Sequence, residues 1–154
     1  MSRLVALLLT VTALAACGGG GDAPPPAAEA APAPAGSDLT AFQLEHGIGP
    51  VTERLALGPV DGPTAEKGAG LFETKCSACH KLDAKYVGPA LGDVTTRRSP
   101  EFVVNMILNP QEMIERHPAV QQMLQETMSF MPNQGLTRAE AMAVLEYLRS
   151  RAVS

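Results

Sequence analysis

The second half of the chain repeats apolar residues at the three- and four-residue spacing of amphipathic helices. The clearest helix is the last. It starts at Thr137-Arg138-Ala139-Glu140, which fits a capping box, in which the Thr and Glu side chains each accept a hydrogen bond from a backbone N–H. An apolar stripe follows: Ala141, Val144, Leu145 and Leu148. An earlier helix is predicted to begin at Ser99-Pro100-Glu101, which supplies a cap, a first-turn proline and an acid, and to end at Asn109-Pro110.

A further helix is predicted over residues 64–76. Glu66 suits its positive N-terminal end, and Leu71 and Phe72 give it an apolar face. Gly68 lies one turn before Phe72, and a glycine inside a helix costs about 1 kcal/mol relative to alanine. We therefore expect Gly68 to let another helix approach the backbone closely.

Three shorter helices complete the predicted set. One begins with Ser37 as its cap and stops at Gly47, one spans roughly 112–116, and one follows Pro118. No segment alternates convincingly between apolar and polar residues, as a half-buried strand would. The predicted fold class is therefore all-α.

The first sixteen residues are typical of a bacterial signal peptide. Arg3 supplies a positive end, an apolar stretch too short to cross a bilayer comfortably follows, and small residues precede Cys17. Leu14-Ala15-Ala16-Cys17 resembles the bacterial lipobox. That resemblance implies cleavage before Cys17 and acylation of Cys17, and so an exported protein anchored by lipid to a bacterial membrane. The alternative is an ordinary signal peptide that happens to contain a cysteine.

The segment after Cys17 consists almost entirely of Gly, Pro and Ala up to Gly36. Such a sequence cannot bury a core, so we expect a disordered tether. The predicted organisation is therefore a signal peptide, a lipidated cysteine with its linker, an extension with one short helix, and a folded domain: 1–16, 17–36, 37–63 and 64–152.

The composition limits the partners and the core. The chain has 12 Lys and Arg against 16 Asp and Glu, a formal net charge of -4. A protein that binds nucleic acid needs a basic face to displace counterions from phosphates, so we do not expect such a partner. Trp is absent and aromatic residues make up 4% of the chain. A large apolar cofactor would help to fill a core so poor in aromatic side chains.

Cys76-Ser77-Ala78-Cys79-His80 is the most specific motif in the sequence. Its two thiols can each add to one vinyl group of a haem, and the next residue then places an imidazole under the iron. A thioredoxin-like redox pair, a zinc site and a plain disulfide are the alternatives. A redox pair would follow a strand, and a zinc site would need further Cys or His ligands at suitable spacing. The motif therefore predicts one covalent haem c on Cys76 and Cys79, with His80 as an iron ligand.

From 64 to 151 the sequence resembles the class I c-type cytochromes. The residues that carry this resemblance are Gly68 and Phe72, the motif from Cys76 to His80, Val87-Gly88-Pro89-Ala90-Leu91, Met131-Pro132, and Tyr147 in the last helix. The resemblance implies that the first and last helices of this domain cross, with Gly68 and Phe72 near Tyr147. It also implies that the carbonyl of Pro89 accepts a hydrogen bond from His80, which would fix the imidazole tautomer.

The family pattern implies Met131 as the second axial ligand, because Pro132 follows it in the loop before the last helix. Met128 is the main rival, since it lies only three residues away. His117 would instead give a bis-histidine site, whereas His46 lies outside the core module; we expect both to be ordinary surface or cap residues. Three other methionines at helical spacing are expected to pack in the core: Met106, Met123 and Met142.

A His80–Met131 pair would leave the iron no open position. It predicts an electron carrier between exported redox proteins, without enzymatic activity and without a small-molecule substrate. Arg97, Arg98 and Tyr86 could contact the haem propionates or lie in solvated loops. The alternatives are a haem-based sensor of small molecules, a haem subunit of an oxidoreductase, or a structural lipoprotein with a disulfide.

The stretch 86–136 is also similar to small cytochromes associated with nitrous-oxide respiration. The similarity is carried by Asn105-Met106-Ile107-Leu108-Asn109-Pro110 and by Asn133-Gln134-Gly135-Leu136-Thr137. This resemblance implies a nitrous-oxide reductase as the electron acceptor.

Overall fold

The computed structural model of the protein describes residues 38–152. Within this range the chain forms helices and connecting loops and contains no β-strand, which confirms the all-α fold class. No helix of the described part is long and apolar enough to cross a membrane. The helices are α1 (Ala41–His46), α2 (Gly62–Lys75), α3 (Val94–Arg97), α4 (Pro100–Leu108), α5 (Pro110–Arg116), α6 (Pro118–Thr127) and α7 (Arg138–Arg151).

The first helix has a different cap from the predicted one. Ser37 lies outside the described residues, and α1 is capped by Thr40, whose hydroxyl accepts a hydrogen bond from the N–H of Gln43 at 3.1 Å. The side-chain oxygen of Gln43 accepts a hydrogen bond from the N–H of Thr40 at 2.9 Å, which completes a capping box. The helix ends at Gly47 as predicted, where φ is +82°, a value that glycine adopts without strain.

Caps and first-turn prolines explain where several of the other helices begin. α2 begins two residues earlier than predicted because Asp61 accepts a hydrogen bond from the N–H of Thr64 at 3.0 Å, and Pro63 is tolerated in the first turn. The predicted caps at Ser99 and Thr137 are confirmed. α5 starts at Pro110 rather than near Glu112, since a proline fits the first position of a helix. α3 was not predicted, and its four residues are too few for a periodic pattern.

Helices α2 and α7 cross in close contact. A Cβ atom at Gly68 would overlap the backbone carbonyl of Ala143, so only a glycine permits this approach. The rings of Phe72 and Tyr147 lie next to each other, with centroids 5.3 Å apart. These contacts confirm the crossing that the family resemblance implied. Together with α4, the two helices enclose what we call the first core: Val51, Phe72, Val103, Val104, Ile107, Ala141, Val144, Leu145 and Leu148.

The chain before α2 forms the N-terminal extension, defined here as residues 38–61. It packs on α4, α5 and α6, where it encloses a second core: Leu39, Ile48, Phe102, Met113 and Val120. The two cores lie on either side of α4, since Phe102 belongs to the second and Val103 to the first.

Candidate functional site

An apolar cavity lies between the end of α2, the helices α4 and α6, and the loop that precedes α7. Most of its wall is aliphatic or aromatic, and the side chains of Cys76, Cys79, His80 and Met131 border it. The structure thus brings together at one cavity four of the residues to which the sequence assigned cofactor chemistry. The apolar wall comes mainly from Phe72, Leu91, Phe102, Val103, Ile107, Val120, Leu124, Val144 and Leu148.

The two cysteines lie in a tight turn at the end of α2. Cys76 is the C-cap of the helix, and its carbonyl accepts hydrogen bonds from the N–H groups of Cys79 at 3.0 Å and His80 at 2.9 Å. Both cysteines are free thiols. Burial, followed by the proximity of Cys79, raises the pKa of the Cys76 thiol. The turn therefore presents two unbonded sulfur atoms and one imidazole to the same cavity.

The imidazole of His80 is held in one orientation by the loop that follows it. Its Nδ1 lies 2.9 Å from the carbonyl oxygen of Pro89. Because a carbonyl can only accept, Nδ1 carries a proton, and the neutral ring in this tautomer has its lone pair on Nε2, where a metal can bind. The N–H of Gly88 bonds the carbonyl of Cys79 at 2.9 Å, which ties this loop to the motif.

Gly88 belongs to the family motif quoted above, but the sequence assigned it no role of its own. A Cβ atom at this position would overlap Cε1 of His80, so any other residue would displace the imidazole. Gly88 stands next to Pro89 in the family motif, but only the folded loop shows that its bare backbone faces the ring.

The two candidate methionines of the loop before α7 have different environments. Met131 borders the cavity and packs against the first core. Met128 is 86% exposed, is absent from the cavity wall and has a left-handed backbone with φ of +52°. Met106 and Met123 also border the cavity from α4 and α6, so they contribute to its wall as well as to packing.

The two other histidines lie away from the cavity wall. His117 joins α5 to α6 and is almost fully buried, with Nε2 3.2 Å from the carbonyl oxygen of Leu44 and its ring edge-on to Phe102. His46 is also buried and contacts Ser99 at 2.8 Å. The expectation of a surface position is wrong for both residues, because each ring finds polar partners inside the fold. His117 is a cap by its place in the chain.

The charged side chains at the cavity wall are all basic: Lys75, Arg97 and Arg98. Arg97 donates to the carbonyl of Ala90 and to Asp93, both at 2.8 Å. The guanidinium of Arg98 lies 4.8 Å from the ring centroid of Phe102. Tyr86, by contrast, is exposed and lies under the Lys81 ammonium, 5.2 Å from its ring centroid.

These features fit a covalently bound haem. The free thiols of Cys76 and Cys79 and the imidazole of His80 border an apolar cavity, and the three basic side chains at its wall could pair with haem propionates. The family model for cytochrome c matches residues 65–152. This chain belongs to the cytochrome c family. Members of the family carry haem c through thioether bonds, so haem c is the cofactor of this cytochrome.

Solved structures and sequence relatives agree with this assignment. The cytochrome c from Rhodothermus marinus is 46% identical, with 71% of this chain and 95% of that chain covered and a TM-score of 0.68. An engineered form of it is 45% identical, with 71% and 96% covered and a TM-score of 0.67.

Two sequence relatives match shorter segments. A cytochrome c-553-like protein from Synechocystis is 32% identical over 33% of this chain and 61% of its own length. The cytochrome c-551 from Stutzerimonas stutzeri is 44% identical over 29% of this chain and 41% of its own length. The chain therefore spans less than two thirds of either relative.

Proposed function

We propose that this cytochrome is a mono-haem carrier of single electrons. The observation that carries the proposal is that His80, with Nε2 free for a metal, and Met131 border the same apolar cavity as the thiols of Cys76 and Cys79. Cys76 and Cys79 would hold the haem through thioether bonds, and His80 and Met131 would both bind its iron. An iron with both of these ligands would have no open position for a substrate.

Bound haem supplies a one-electron couple at its iron, and the protein sets the conditions for it. Pro89 fixes the tautomer of His80 and makes the imidazole a stronger ligand. The thioether of Met131 is a soft ligand that favours ferrous iron and raises the reduction potential. Arg97 and Arg98 supply positive charge for the propionates.

The rim of the cavity supports transfer to partner proteins. Val87 and Phe130 belong to the cavity wall and are also exposed to solvent, Phe130 to 69%. Tyr86 and Met128, which neighbour them in sequence, are exposed as well. Exposed apolar groups clustered in this way are typical of interaction sites. We propose that redox partner proteins approach at this rim.

The assignment of Met131 is tested with a matched pair of variants. Met131→Ala should remove the red sulfur-to-iron charge-transfer band, lower the reduction potential and open the iron to added ligands. Met128→Ala serves as the control and should leave the spectrum unchanged, because Met128 is exposed and lies off the cavity wall.

Other outcomes would assign the site differently. If Met128→Ala abolishes the band while Met131→Ala keeps it, the ligand is Met128. If only His117→Ala changes the spectrum, the site is bis-histidine and the argument for a raised potential fails. Five-coordinate haem in the unmodified protein would favour a small-molecule sensor or an oxidoreductase subunit over a carrier.

We also propose that the protein is exported and anchored to a bacterial membrane by acylation of Cys17. The support is the lipobox-like sequence after the apolar stretch in 1–16, followed by the Gly, Pro and Ala linker up to 36. All of these residues lie outside the described range. Cys17→Ser should release the protein from membranes without changing its haem spectrum, because the linker separates the anchor from the domain. Mass spectrometry that finds unmodified Cys17 in the mature protein would refute the anchor.

The resemblance of 105–110 and 133–137 to cytochromes of nitrous-oxide respiration supports a nitrous-oxide reductase as acceptor. The test is to mix the reduced protein with that enzyme and nitrous oxide, and separately with a terminal oxidase and oxygen. Faster oxidation by the nitrous-oxide reductase is expected. Oxidation only by the oxidase would overturn this partner while leaving the carrier function in place.

A further inference from the structure

We infer that Asn105 is a positioning residue for the side of the cavity that presents Met131. It holds the N-terminal extension against the back of α4, and the extension in turn braces the wall that leads to the methionine. The inference rests on the proposed function in one respect, which is the assignment of Met131 as a ligand.

Asn105 is fully buried and uses its whole carboxamide to hold the extension. Its Oδ1 accepts from the N–H of Val51 at 2.9 Å, while Nδ2 donates to the carbonyls of Val51 at 2.9 Å and His46 at 3.1 Å. One side chain thereby clamps both ends of the loop 46–51. A Cβ atom at Gly49 would lie only 2.5 Å from Oδ1, so the loop fits tightly around the amide. No apolar residue at 105 could satisfy these buried backbone groups.

Further contacts extend the clamp along α4 and α5. Nδ2 of Asn109, one turn after Asn105, donates to the carbonyl of Ile48 at 3.1 Å. The N–H of Ile48 bonds the sulfur of Met113 at 3.0 Å, and Glu101 accepts from the N–H of Leu55 at 2.7 Å. The second core lies beneath these bonds. The extension is therefore fixed by directional bonds to α4 and α5 as well as by apolar burial.

The other side of this second core is the cavity itself. Phe102 and Val120 belong to the second core and also to the cavity wall. Met123 and Leu124 continue that wall along α6, which ends at Thr127, four residues before Met131. A shift of the extension would reach the wall directly, because close-packed side chains transmit displacement. The expected consequence is a less firmly held Met131.

The His80 side of the cavity has separate support. His80 is held by Pro89 and Gly88, and within residues 38–152 no hydrogen bond joins the extension to 76–92. Loss of the brace should therefore weaken the bond to Met131 and leave the histidine ligand in place. This asymmetry separates positioning from general destabilisation.

The test compares Asn105→Ala with Arg149→Ala in the full-length haem-loaded protein. Arg149 on α7 donates to the carbonyl of Gly58 at 2.7 Å, so its loss removes one hydrogen bond at the far end of the extension without touching α4. Asn105→Ala should bind added imidazole about tenfold more tightly, because the apparent affinity scales with the fraction of molecules whose methionine has left. The charge-transfer band should also disappear at a temperature below that of unfolding. Arg149→Ala should show neither change.

Amide hydrogen exchange gives a readout that does not depend on the ligand assignment. In Asn105→Ala, exchange should become faster over 118–131 and stay unchanged over 76–92. If imidazole affinity and exchange over 118–131 equal those of the unmodified protein, or if Arg149→Ala changes them equally, Asn105 has only a structural role and the inference is overturned.

A second variant keeps the test possible if Asn105→Ala yields no holoprotein. Asn109→Ala removes the bond to Ile48 and should produce the same changes to a smaller extent; unchanged imidazole affinity in it overturns the brace. The proposed function fails separately, by retention of the band in Met131→Ala. If Met131→Ala loses the band but Asn105→Ala has the imidazole affinity of the unmodified protein, the positioning role of Asn105 is refuted and the proposed function stands.

Discussion

The two cores of this cytochrome are held together in different ways. In the first core, α2 and α7 meet backbone to backbone at Gly68, and apolar side chains form the cluster around this crossing. The buried charged residue of α7 is Glu146, which accepts a hydrogen bond from the N–H of Asp61 at 3.1 Å. Around the second core the structure buries several polar groups: His46, Glu101, Asn105 and His117. The first core depends on shape, whereas the region around the second also depends on buried polar groups. Most of their atoms are hydrogen-bonded, but among the described residues Oε2 of Glu101 and Nδ1 of His117 have no hydrogen-bond partner.

The buried carboxyl group of Glu101 shows how a charged group is kept in this region. Burial alone would raise its pKa, but hydrogen bonds from the N–H of Leu55 and from its own backbone outweigh that effect, helped by nearby His46 and Arg54. The net result is a lowered pKa and a charged carboxylate. An apolar core tolerates replacement by groups of similar volume, whereas a buried polar group that loses its partner costs about 1–3 kcal/mol. The second core is therefore more specific in its partners, and more sensitive to single polar changes.

The largest expected effect tests whether the two cores can form without the cofactor, since the cavity wall includes side chains from both. Cys76→Ala or Cys79→Ala should greatly lower the yield of holoprotein, because covalent attachment retains the haem in a domain poor in aromatic side chains. The apoprotein should be largely unfolded, as measured by circular dichroism. Native helicity with cooperative unfolding in the apoprotein would show that the two cores are stable without haem.

A second prediction addresses the backbone contact of the first core. Gly68→Ala should lower the free energy of unfolding by about 3 kcal/mol, because its Cβ would overlap the carbonyl of Ala143, which cannot rotate away. Gly70→Ala is the matched control on the same helix, since its Cβ would meet nothing within 4 Å. It should be neutral or stabilising by up to about 1 kcal/mol. Equal effects of the two changes in denaturant titrations would contradict the close crossing.

The smallest expected effect concerns the polar second core and its dependence on pH. Burial lowers the pKa of His117 from its ordinary value of 6.5, although backbone carbonyls oppose the shift. The unfolded chain therefore takes up a proton first as the pH falls below 6.5, and stability is lost from there down to the folded pKa. Because a single proton is involved, the free energy of unfolding can change by at most about 1.4 kcal/mol per pH unit in this range. The carboxylates whose pKa is lowered reduce the stability only at more acidic pH, where they become protonated.

His117→Gln keeps a donor for the carbonyl of Leu44 and removes the titration. The difference between its pH–stability curve and that of the unmodified protein should grow below pH 6.5 and level off at the folded pKa. A constant difference over the whole range would show that burial of His117 does not contribute to the pH dependence.

The amino-acid sequence by itself determined six of the seven described helices, the caps at Ser99 and Thr137, and the chemistry of the haem motif. These features are local: a capping box needs four residues, an apolar stripe needs a few turns, and two thiols next to an imidazole need five positions. The same locality explains the errors. Thr40 rather than Ser37 caps α1, Asp61 was not named as the cap of α2, and the four residues of α3 are too few to show a period.

Only the tertiary structure decided which side chains border the same cavity. Met128 and Met131 are equivalent as residue types, yet one is exposed and the other borders the cavity, because the left-handed backbone at Met128 ends α6. In the sequence, Asn105 looks like an ordinary polar position on α4. Only the structure shows that it accepts a hydrogen bond from the N–H of Val51, which lies 54 residues away along the chain. Such contacts depend on how distant segments meet, and periodicity contains no information about that, since it records only which face of each helix is apolar.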